Sequence, residues 1–208
     1  RRYAHSAVLL PDATVLITGG FTGCPPEGGL CGGVNASAEH YDPSASTSRP
    51  AGNLIIARSG PRSTLLADGT VLITGGVANA EVFASAEVYR PPVLTPPPAL
   101  LSVSGDGRGQ GAILHAGTPR LASASDPAVA GEYLEIYLSG FRDDSVIPPH
   151  VWIGGRVAEV LWVGNAPGLA GVNQINVRLP KSVASGAAVP VRMNYMGRPS
   201  NEVTIGVQ

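Results

Sequence analysis

The sequence predicts an all-β protein, and three observations support that fold class. The pentapeptide Leu-Ile-Thr-Gly-Gly occurs twice, at Leu16–Gly20 and again at Leu72–Gly76. Short aliphatic and β-branched runs are separated by turn residues in a chain that has 27 Gly and 19 Pro among its 208 residues. That composition is typical of many short strands joined by tight turns. No segment shows the sustained period of 3.6 that an amphipathic helix would require.

The two pentapeptides lie inside a longer repeat. RYAHSAVLLPDATVLITGG at Arg2–Gly20 aligns without a gap with RSGPRSTLLADGTVLITGG at Arg58–Gly76. Further along the chain, ASAEHY at Ala36–Tyr41 matches ASAEVY at Ala84–Tyr89. The first copy is longer than the second between the Gly pair and this last stretch. A repeat of about fifty residues indicates a fold built from similar units placed side by side.

Each copy predicts three or four antiparallel strands. Turn residues at Pro11–Ala13 and at Ala67–Gly69 separate two apolar runs in each copy, and Gly69 is free to adopt a positive φ. The Gly pair ends the second strand, where the backbone must turn with little room for a Cβ atom. The alternating ASAE stretch then predicts a third strand. Three or four antiparallel strands in a unit of this size are typical of a β-propeller blade.

The repeat resembles bacterial kelch repeats. The similarity rests on the Gly pairs, on Tyr41–Pro43 and on Ala57–Gly60 leading into TLLADGTVLITGG. The chain departs from the family pattern where Ser48 stands near a usual Trp, where Pro61 replaces a usual His, and where Arg90 follows the second Tyr in place of Asp. The resemblance therefore implies two degenerate blades, and we expect them to be the last blades of a propeller.

Two blades do not close a propeller ring, and a partial set leaves blade faces and strand edges unpaired. The sequence starts at Arg1, without Met or a signal segment. We therefore expect a fragment or a trimmed product whose upstream blades are absent. The alternative is that the two blades pack on the C-terminal domain or on another copy of the chain.

A proline-rich segment marks the predicted domain boundary. Five prolines fall within Pro91–Pro98, which favours extended polyproline geometry and a semi-rigid spacer. We predict two blades over residues 1–90, a linker over 91–98 and a second domain over 99–208.

The second domain is predicted to be an antiparallel β-sandwich, because short alternating runs are separated by Gly, Pro and Asn clusters. The predicted strands are Leu100–Val103, Ala112–His115, Tyr133–Ser139, His150–Ile153, Ala158–Val163, Gln174–Leu179, Val189–Tyr195 and Glu202–Val207.

This second half resembles an immunoglobulin-like domain of the IPT/TIG type, and more closely a C-terminal module common on large secreted proteins of soil bacteria. The residues that carry the resemblance include Ile153–Gly155, Ala166–Gly168, Gln174–Val177 and Ser200–Thr204. Domains of this type usually stack, space or bind, and the resemblance does not establish a biochemical activity.

Charge and hydropathy exclude two classes of partner. The formal net charge is −1, so there is no electrostatic case for nucleic acid or for an anionic membrane surface. No apolar run approaches the length that spans a bilayer, so membrane insertion is not expected.

The two cysteines, Cys24 and Cys31, lie in a Gly- and Pro-rich insertion of the first repeat. This placement favours a local disulfide and hence an oxidising compartment. A metal pair is the weaker alternative, because no further Cys or nearby His completes a tetrahedral set. We expect a secreted, periplasmic or cell-surface protein.

The sequence gives only weak candidates for catalytic residues. Nucleophilic hydrolysis needs a Ser or Cys near a His that a carboxylate orients, and no G-x-S-x-G elbow occurs. If the protein is a small-ester or lactone hydrolase, the acid–base candidates are His5, His40, Glu39 and Glu87. Glu39 and His40 are adjacent in a predicted strand, so their side chains should point to opposite faces.

No cofactor is predicted, but calcium is possible at one pair of carboxylates. Asp143 and Asp144 are adjacent carboxylates that could bind Ca²⁺ together with carbonyl oxygens. Adjacent acids more often form a solvated turn, and Arg142 supplies a local counter-charge.

A propeller followed by an immunoglobulin-like domain is similar in outline to galactose-oxidase-like copper radical enzymes. The resemblance fails at the copper site, since Tyr3 and His5 are separated by Ala4 where that family has adjacent residues. We therefore rank copper-radical oxidation below hydrolysis, and both below a non-catalytic role.

The function that the sequence favours is an extracellular binding or scaffold module. It would recognise a glycan or a protein surface through propeller loops, including the Cys24–Cys31 loop. Trp152 and Trp162 are weak candidates for stacking on sugars, with packing against other side chains as the alternative. Self-association through open blade edges is also expected.

Overall fold

The computed structural model describes residues 2–23, 32–92, 95–141 and 147–208, and these residues form strands, bridges, turns and irregular segments without a helix. The predicted all-β fold class is confirmed. The chain divides into two compact units, Arg1–Leu94 and Thr95–Gln208. Among the described residues there is no helix that could cross a membrane.

The strands of the first unit are short. In chain order they are β1 (Arg2–Tyr3), β2 (Ser6–Leu9), β3 (Val15–Thr18), β4 (Phe21–Thr22), β5 (Ser37–Asp42), β6 (Thr47–Asn53), β7 (Arg62–Leu65), β8 (Val71–Thr74), β9 (Val77–Ala78), β10 (Glu81–Val82) and β11 (Ala86–Tyr89).

The two copies of the repeat form two separate antiparallel sheets. The first repeat sheet has the order β2-β3-β5-β6, and the second repeat sheet has the order β7-β8-β11. Two ribbons, β1-β4 and β9-β10, accompany them. Strands β2 and β7, like β3 and β8, begin and end at equivalent positions of the repeat, so the predicted alignment of the two copies holds in three dimensions.

One apolar core joins the two repeat sheets. Alternate residues of each strand point to one face of a sheet, and the two inward faces meet. The buried residues are Leu10, Leu16, Ala38, Leu54, Val71 and Ile73. Full burial of one large aliphatic side chain contributes about 1.5–3 kcal/mol, so these side chains stabilise the packing of the two sheets.

The same turn chemistry connects the first two strands of both sheets. The Asp12 carboxylate accepts from the Thr14 backbone N–H at 3.1 Å, and Asp68 accepts from the Thr70 N–H at 2.9 Å. Gly69 adopts the predicted positive φ, at 85°. Its counterpart Ala13 has a φ of 62°, a conformation that costs a residue with a Cβ atom about 1–2 kcal/mol.

The second unit contains the remaining strands. They are β12 (Ala99–Leu100), β13 (Ile113–His115), β14 (Tyr133–Ser139), β15 (His150–Ile153), β16 (Arg156–Asn165), β17 (Asn173–Arg178), β18 (Gly186–Tyr195), β19 (Arg198–Pro199) and β20 (Val203–Val207). Strands β14 and β15 have the predicted bounds, and each of the other predicted strands overlaps an observed one.

Strand β16 connects two layers of this unit. Its beginning pairs with β15 and its end with β17, with a bulge between Val160 and Trp162. One layer therefore comprises β12, β13, β14, β17 and the end of β16, and the other comprises the beginning of β16, β15, β18, β19 and β20.

The inward faces of the two layers share one hydrophobic core. Within β14, the buried residues Leu134, Ile136 and Leu138 alternate with outward-facing neighbours. Residues of β15, β17, β18 and β20 complete the same buried cluster. This arrangement leaves two outward strand faces on which polar and aromatic side chains contact solvent.

Candidate functional site

Glu87, one of the acid–base candidates, accepts a hydrogen bond from a buried arginine. Arg58 Nη2 donates to Glu87 Oε1 at 2.8 Å and to Ser85 Oγ at 3.1 Å. Arg58 Nη1 donates to the carbonyl oxygens of Gly75 at 2.7 Å and Ser85 at 3.1 Å. The arginine therefore fastens the Gly pair at the end of β8 to the segment that begins β11. We call this set of contacts the second arginine latch.

The first repeat contains the same latch. Arg2 Nη1 donates to the carbonyl oxygens of Gly19 at 2.7 Å and Ser37 at 2.8 Å. Arg2 Nη2 donates to Ser37 Oγ at 2.7 Å and to the carboxylate of Glu39. We call it the first arginine latch. Both glutamates proposed from sequence thus take part in equivalent structural ion pairs.

The two latches differ in burial. The Arg58 side chain is 0% exposed and Glu87 is 10% exposed, whereas Arg2 is 9% and Glu39 is 40% exposed. Glu87 also accepts from the backbone N–H of Ile56 at 3.2 Å. The alignment places an arginine at the equivalent position of both copies. The glutamate that pairs with each arginine lies too far along the chain to be identified from a local pattern.

His40 connects the two repeat sheets. It is buried, and its Nε2 lies 2.7 Å from the hydroxyl of Tyr89 in the second sheet. Burial lowers the pKa of His40 below its ordinary value; the nearby charge of Asp12 opposes this effect and that of Arg49 adds to it. The imidazole is therefore neutral near pH 7, and its hydrogen bond with Tyr89 supports the packing of the sheets.

The remaining hydrolase candidates are separated from one another. His5 is exposed between β1 and β2. Glu39 and His40 occupy opposite faces of β5, as their adjacency predicted. Within the four described ranges, no group of three or more His, Cys, Asp and Glu side chains is placed to hold a metal ion.

A charged cluster that sequence analysis did not assign surrounds His115 in the second unit. His115 Nδ1 lies 2.5 Å from Glu132 Oε1, and its Nε2 lies 3.6 Å from a carboxylate oxygen of Asp126. Arg120 contacts both oxygens of the Asp126 carboxylate. The His115 side chain is only 8% exposed, so the cluster is a partly buried ionic network.

The stability of the second unit should depend on pH through His115. Burial lowers the pKa of this imidazole, but the hydrogen bonds to Glu132 and the Asp126 carbonyl, with the charges of both acids, raise it above its ordinary value overall. Its contribution is therefore complete below about pH 6.5, the unfolded-state value, and is lost as the pH rises through the higher folded-state pKa.

We expect the stability difference between the wild type and His115→Gln to shrink as the pH is raised from about 5.5 to about 9, a range that brackets the ordinary histidine pKa. Urea unfolding followed by tryptophan fluorescence measures it, because both Trp residues lie in this unit. His150→Gln, at an exposed position, is the matched control. A difference that stays constant over this range would contradict the assignment of a charged His115.

Trp152 lines a cleft on the outward face of the β15–β18 layer. It lies opposite Arg192 across the strand pair, and the His150 ring meets it edge-on with ring centroids 5.9 Å apart. The cleft has a volume of about 480 Å³ and is lined by Trp152, Gly155, Pro190, Arg192, Met193, Asn194, Pro199 and Ser200. An aromatic ring, two prolines and several polar groups thus converge on one concave surface.

Trp162 lies on the outward face of the other layer and is 43% exposed. Its ring rests on Gly164, where a Cβ atom would come within 2.5 Å of the indole. Trp162 is opposite Asn176 in the sheet register. Neither tryptophan belongs to the buried core, so both present ring surface to the outside of the sandwich.

Four other residues singled out from the sequence, Cys24 and Cys31 together with Asp143 and Asp144, lie outside the described residues. The disulfide and the calcium site therefore stay predictions from the sequence.

Comparison with known proteins does not show a family for this chain. No protein-family model and no curated protein matches the sequence. Among solved structures 73 chains match, including one described as "Novel fungal alcohol oxidase with catalytic diversity among the AA5 family, in complex with copper". The identity to that protein is 18% and the TM-score is 0.42. The alignment covers 100% of this chain and 43% of the oxidase, so the chain spans less than half the length of that structure.

Proposed function

We propose that this protein is an extracellular, non-catalytic binding module whose second unit recognises a glycan at the Trp152 cleft. The observation that carries the proposal is the half-buried indole of Trp152 in the lining of a concave surface, together with Arg192 and Asn194. The apolar face of a sugar ring stacks on the indole, and the polar side chains exchange hydrogen bonds with its hydroxyl groups.

Regular strands supply most of the polar and aromatic groups of the cleft. Trp152 lies in β15 between β16 and β18, and its neighbours Pro190 and Arg192 lie in β18. An exposed ion pair joins Arg192 to Glu202, the residue before β20. Side chains that are ordered before the ligand arrives lose less conformational entropy on binding. The volume falls within the range of about 300–1,000 Å³ usual for small-ligand sites.

The structural contacts of three catalytic candidates support binding rather than catalysis. Glu39 and Glu87 are paired with arginines in the two latches, and His40 is buried against Tyr89. A general base must be within hydrogen-bond reach of a substrate proton, and these three side chains instead connect strands of the repeat unit. In this proposal the repeat unit is a scaffold whose loops provide a further recognition surface.

Replacing Trp152 by alanine should weaken glycan binding about 5- to 30-fold, since loss of a stacking contact costs on the order of 1–2 kcal/mol. A glycan array identifies an oligosaccharide, and titration calorimetry then measures its dissociation constant for each variant. Tyr133→Ala removes an exposed aromatic ring from the other layer and should leave affinity unchanged.

Three results would count against this proposal. The first is a wild type that binds no glycan on the array. The second is a Trp152→Ala variant that binds as tightly as the wild type, and the third is a loss of binding in Trp162→Ala but not in Trp152→Ala. Turnover of ester or lactone substrates by the purified protein would instead favour the hydrolase alternative.

A further inference from the structure

A second cavity of the sandwich unit adjoins the Trp152 cleft. It has a volume of about 840 Å³ and is lined by residues 97–102, residues 105–109 and part of the segment 199–204. We call it the Asp106 cavity. Pro199 lines both spaces, and Arg192 in the cleft forms an ion pair with Glu202 in the Asp106 cavity. The two spaces therefore meet at Pro199 and at this ion pair.

The sheet register gives the span from the cleft to the Asp106 cavity. Trp152 lies opposite Arg192 on the neighbouring strand. Val191 pairs with Val203, so Glu202 lies beside Arg192 at the start of the next strand. Two strand spacings of about 4.8 Å separate Trp152 from Glu202 by about 10 Å. This span is longer than a single sugar ring, so a ligand that reaches both residues has more than one sugar unit.

An ordered loop forms one wall of the Asp106 cavity. Asp106 Oδ1 accepts from Ser104 Oγ at 2.6 Å and from the Arg108 backbone N–H at 2.9 Å. Asn201 Nδ2 donates to the Gly107 carbonyl oxygen at 2.6 Å, which fastens the loop to the segment before β20. Polar groups that are held in place before a ligand arrives lose less conformational entropy on binding.

Two side-chain groups of this loop are available to a ligand. The hydrogen bonds to the Asp106 carboxylate end at Oδ1, and no described residue donates to Oδ2. Arg108 uses its backbone, and its guanidinium has no hydrogen bond or ion pair with the described part of the chain. Both residues are exposed and line the cavity. An acceptor and a donor group suit sugar hydroxyls, because each hydroxyl both donates and accepts.

The charges along the two spaces are balanced. Among the described lining residues the cations are Arg108 and Arg192, and the anions are Asp106 and Glu202. Recognition of a polyanionic chain requires a surface of complementary positive potential, which this balance does not supply. The surface therefore suits a neutral sugar chain.

We propose that the glycan bound at the Trp152 cleft is a neutral oligosaccharide that continues past Pro199 into the Asp106 cavity. One sugar unit stacks on the Trp152 indole, and a unit further along the chain exchanges hydrogen bonds with Asp106 and Arg108. This longer site, which rests on the proposed glycan binding, requires a ligand of more than two sugar units without net charge.

Titration calorimetry with chain-length series tests this proposal. The probes are cellulose, xylan, chitin and mannan oligosaccharides from disaccharide to hexasaccharide, with galacturonic acid oligomers as the charged comparison. Affinity for the neutral chain that binds should rise at least about tenfold from disaccharide to hexasaccharide, or about 1.4 kcal/mol. Arg108→Ala and Asp106→Asn should each weaken hexasaccharide binding about 3- to 10-fold, as the loss of hydrogen bonds implies, and leave disaccharide binding unchanged.

The matched control is Arg178→Ala, which removes an exposed arginine of β17 that lines neither space and should change no affinity. Equal affinity for disaccharide and hexasaccharide overturns the proposal, as does hexasaccharide binding that Arg108→Ala and Asp106→Asn both leave intact. Tighter binding of a galacturonic acid oligomer than of every neutral chain overturns the assignment of a neutral ligand. In each of these cases Trp152→Ala still weakens binding, whereas no binding of any chain, or binding insensitive to Trp152→Ala, is a failure of the proposed function itself. Circular dichroism checks that the variants fold.

Discussion

Replacing Arg58 by alanine should destabilise the repeat unit by about 3–5 kcal/mol, the cost of removing one partner from a buried ion pair. The guanidinium is fully buried, and it donates to Glu87 and to three carbonyl oxygens. Its loss leaves a carboxylate that is only 10% exposed without its counter-charge. Lysine at this position should not restore stability, because an ammonium group cannot reproduce the fork of donors.

Arg2→Ala is the matched control, since it removes the first arginine latch. Glu39 is 40% exposed, so water replaces much of the lost interaction, and we expect a cost of about 1 kcal/mol. Hydrogen exchange of peptides spanning Leu16–Gly20 and Leu72–Gly76 measures both effects. Tryptophan fluorescence reports the second unit alone and should not change. Equal costs for the two variants would contradict the structural difference between the latches.

Gly19→Ala should cost about 3 kcal/mol or more, well above its repeat counterpart Gly75→Ala, because a steric clash adds to backbone strain. Both glycines have a φ of +64°, a conformation that penalises alanine by about 1–2 kcal/mol. A Cβ atom at Gly19 would also lie 2.3 Å from the carbonyl oxygen of Arg58, whereas at Gly75 the nearest atom is 3.7 Å away. The Arg58 carbonyl oxygen accepts from the Gly20 N–H at 2.9 Å. It therefore cannot move away from the added methyl group without losing a hydrogen bond between the repeats.

Chemical unfolding of both glycine variants, followed by far-ultraviolet circular dichroism, measures this difference. Gly60→Ala provides the baseline for backbone strain alone, since Gly60 has a φ of +63° and an added methyl group would meet no atom within 4 Å. Gly75→Ala should match that baseline. If Gly19→Ala matches it too, the close approach of the two repeats at this point is wrong.

Only part of the candidate site could be predicted from the sequence. The two tryptophans were singled out because aromatic rings stack on sugars, but the polar neighbours of Trp152 come from β18, about forty residues further along the chain. The glutamates were singled out because carboxylates perform acid–base chemistry, and their arginine partners were not anticipated. The ionic network around His115 was missed for the same reason, since Asp126 and Glu132 lie in a different turn from the histidine.

Local patterns of residues were sufficient to predict the all-β fold class, the repeat and most of the strands. These features follow from alternation of apolar residues and from turn residues such as Asp68 and Gly69, whose preferences act over a few neighbouring positions. The pairing of Glu87 with Arg58, the contact of His40 with Tyr89 across two sheets and the outward position of Trp152 over a cleft became visible only in the folded chain. Such contacts join residues distant in the chain, so they depend on how whole sheets pack, which no local pattern of residues encodes.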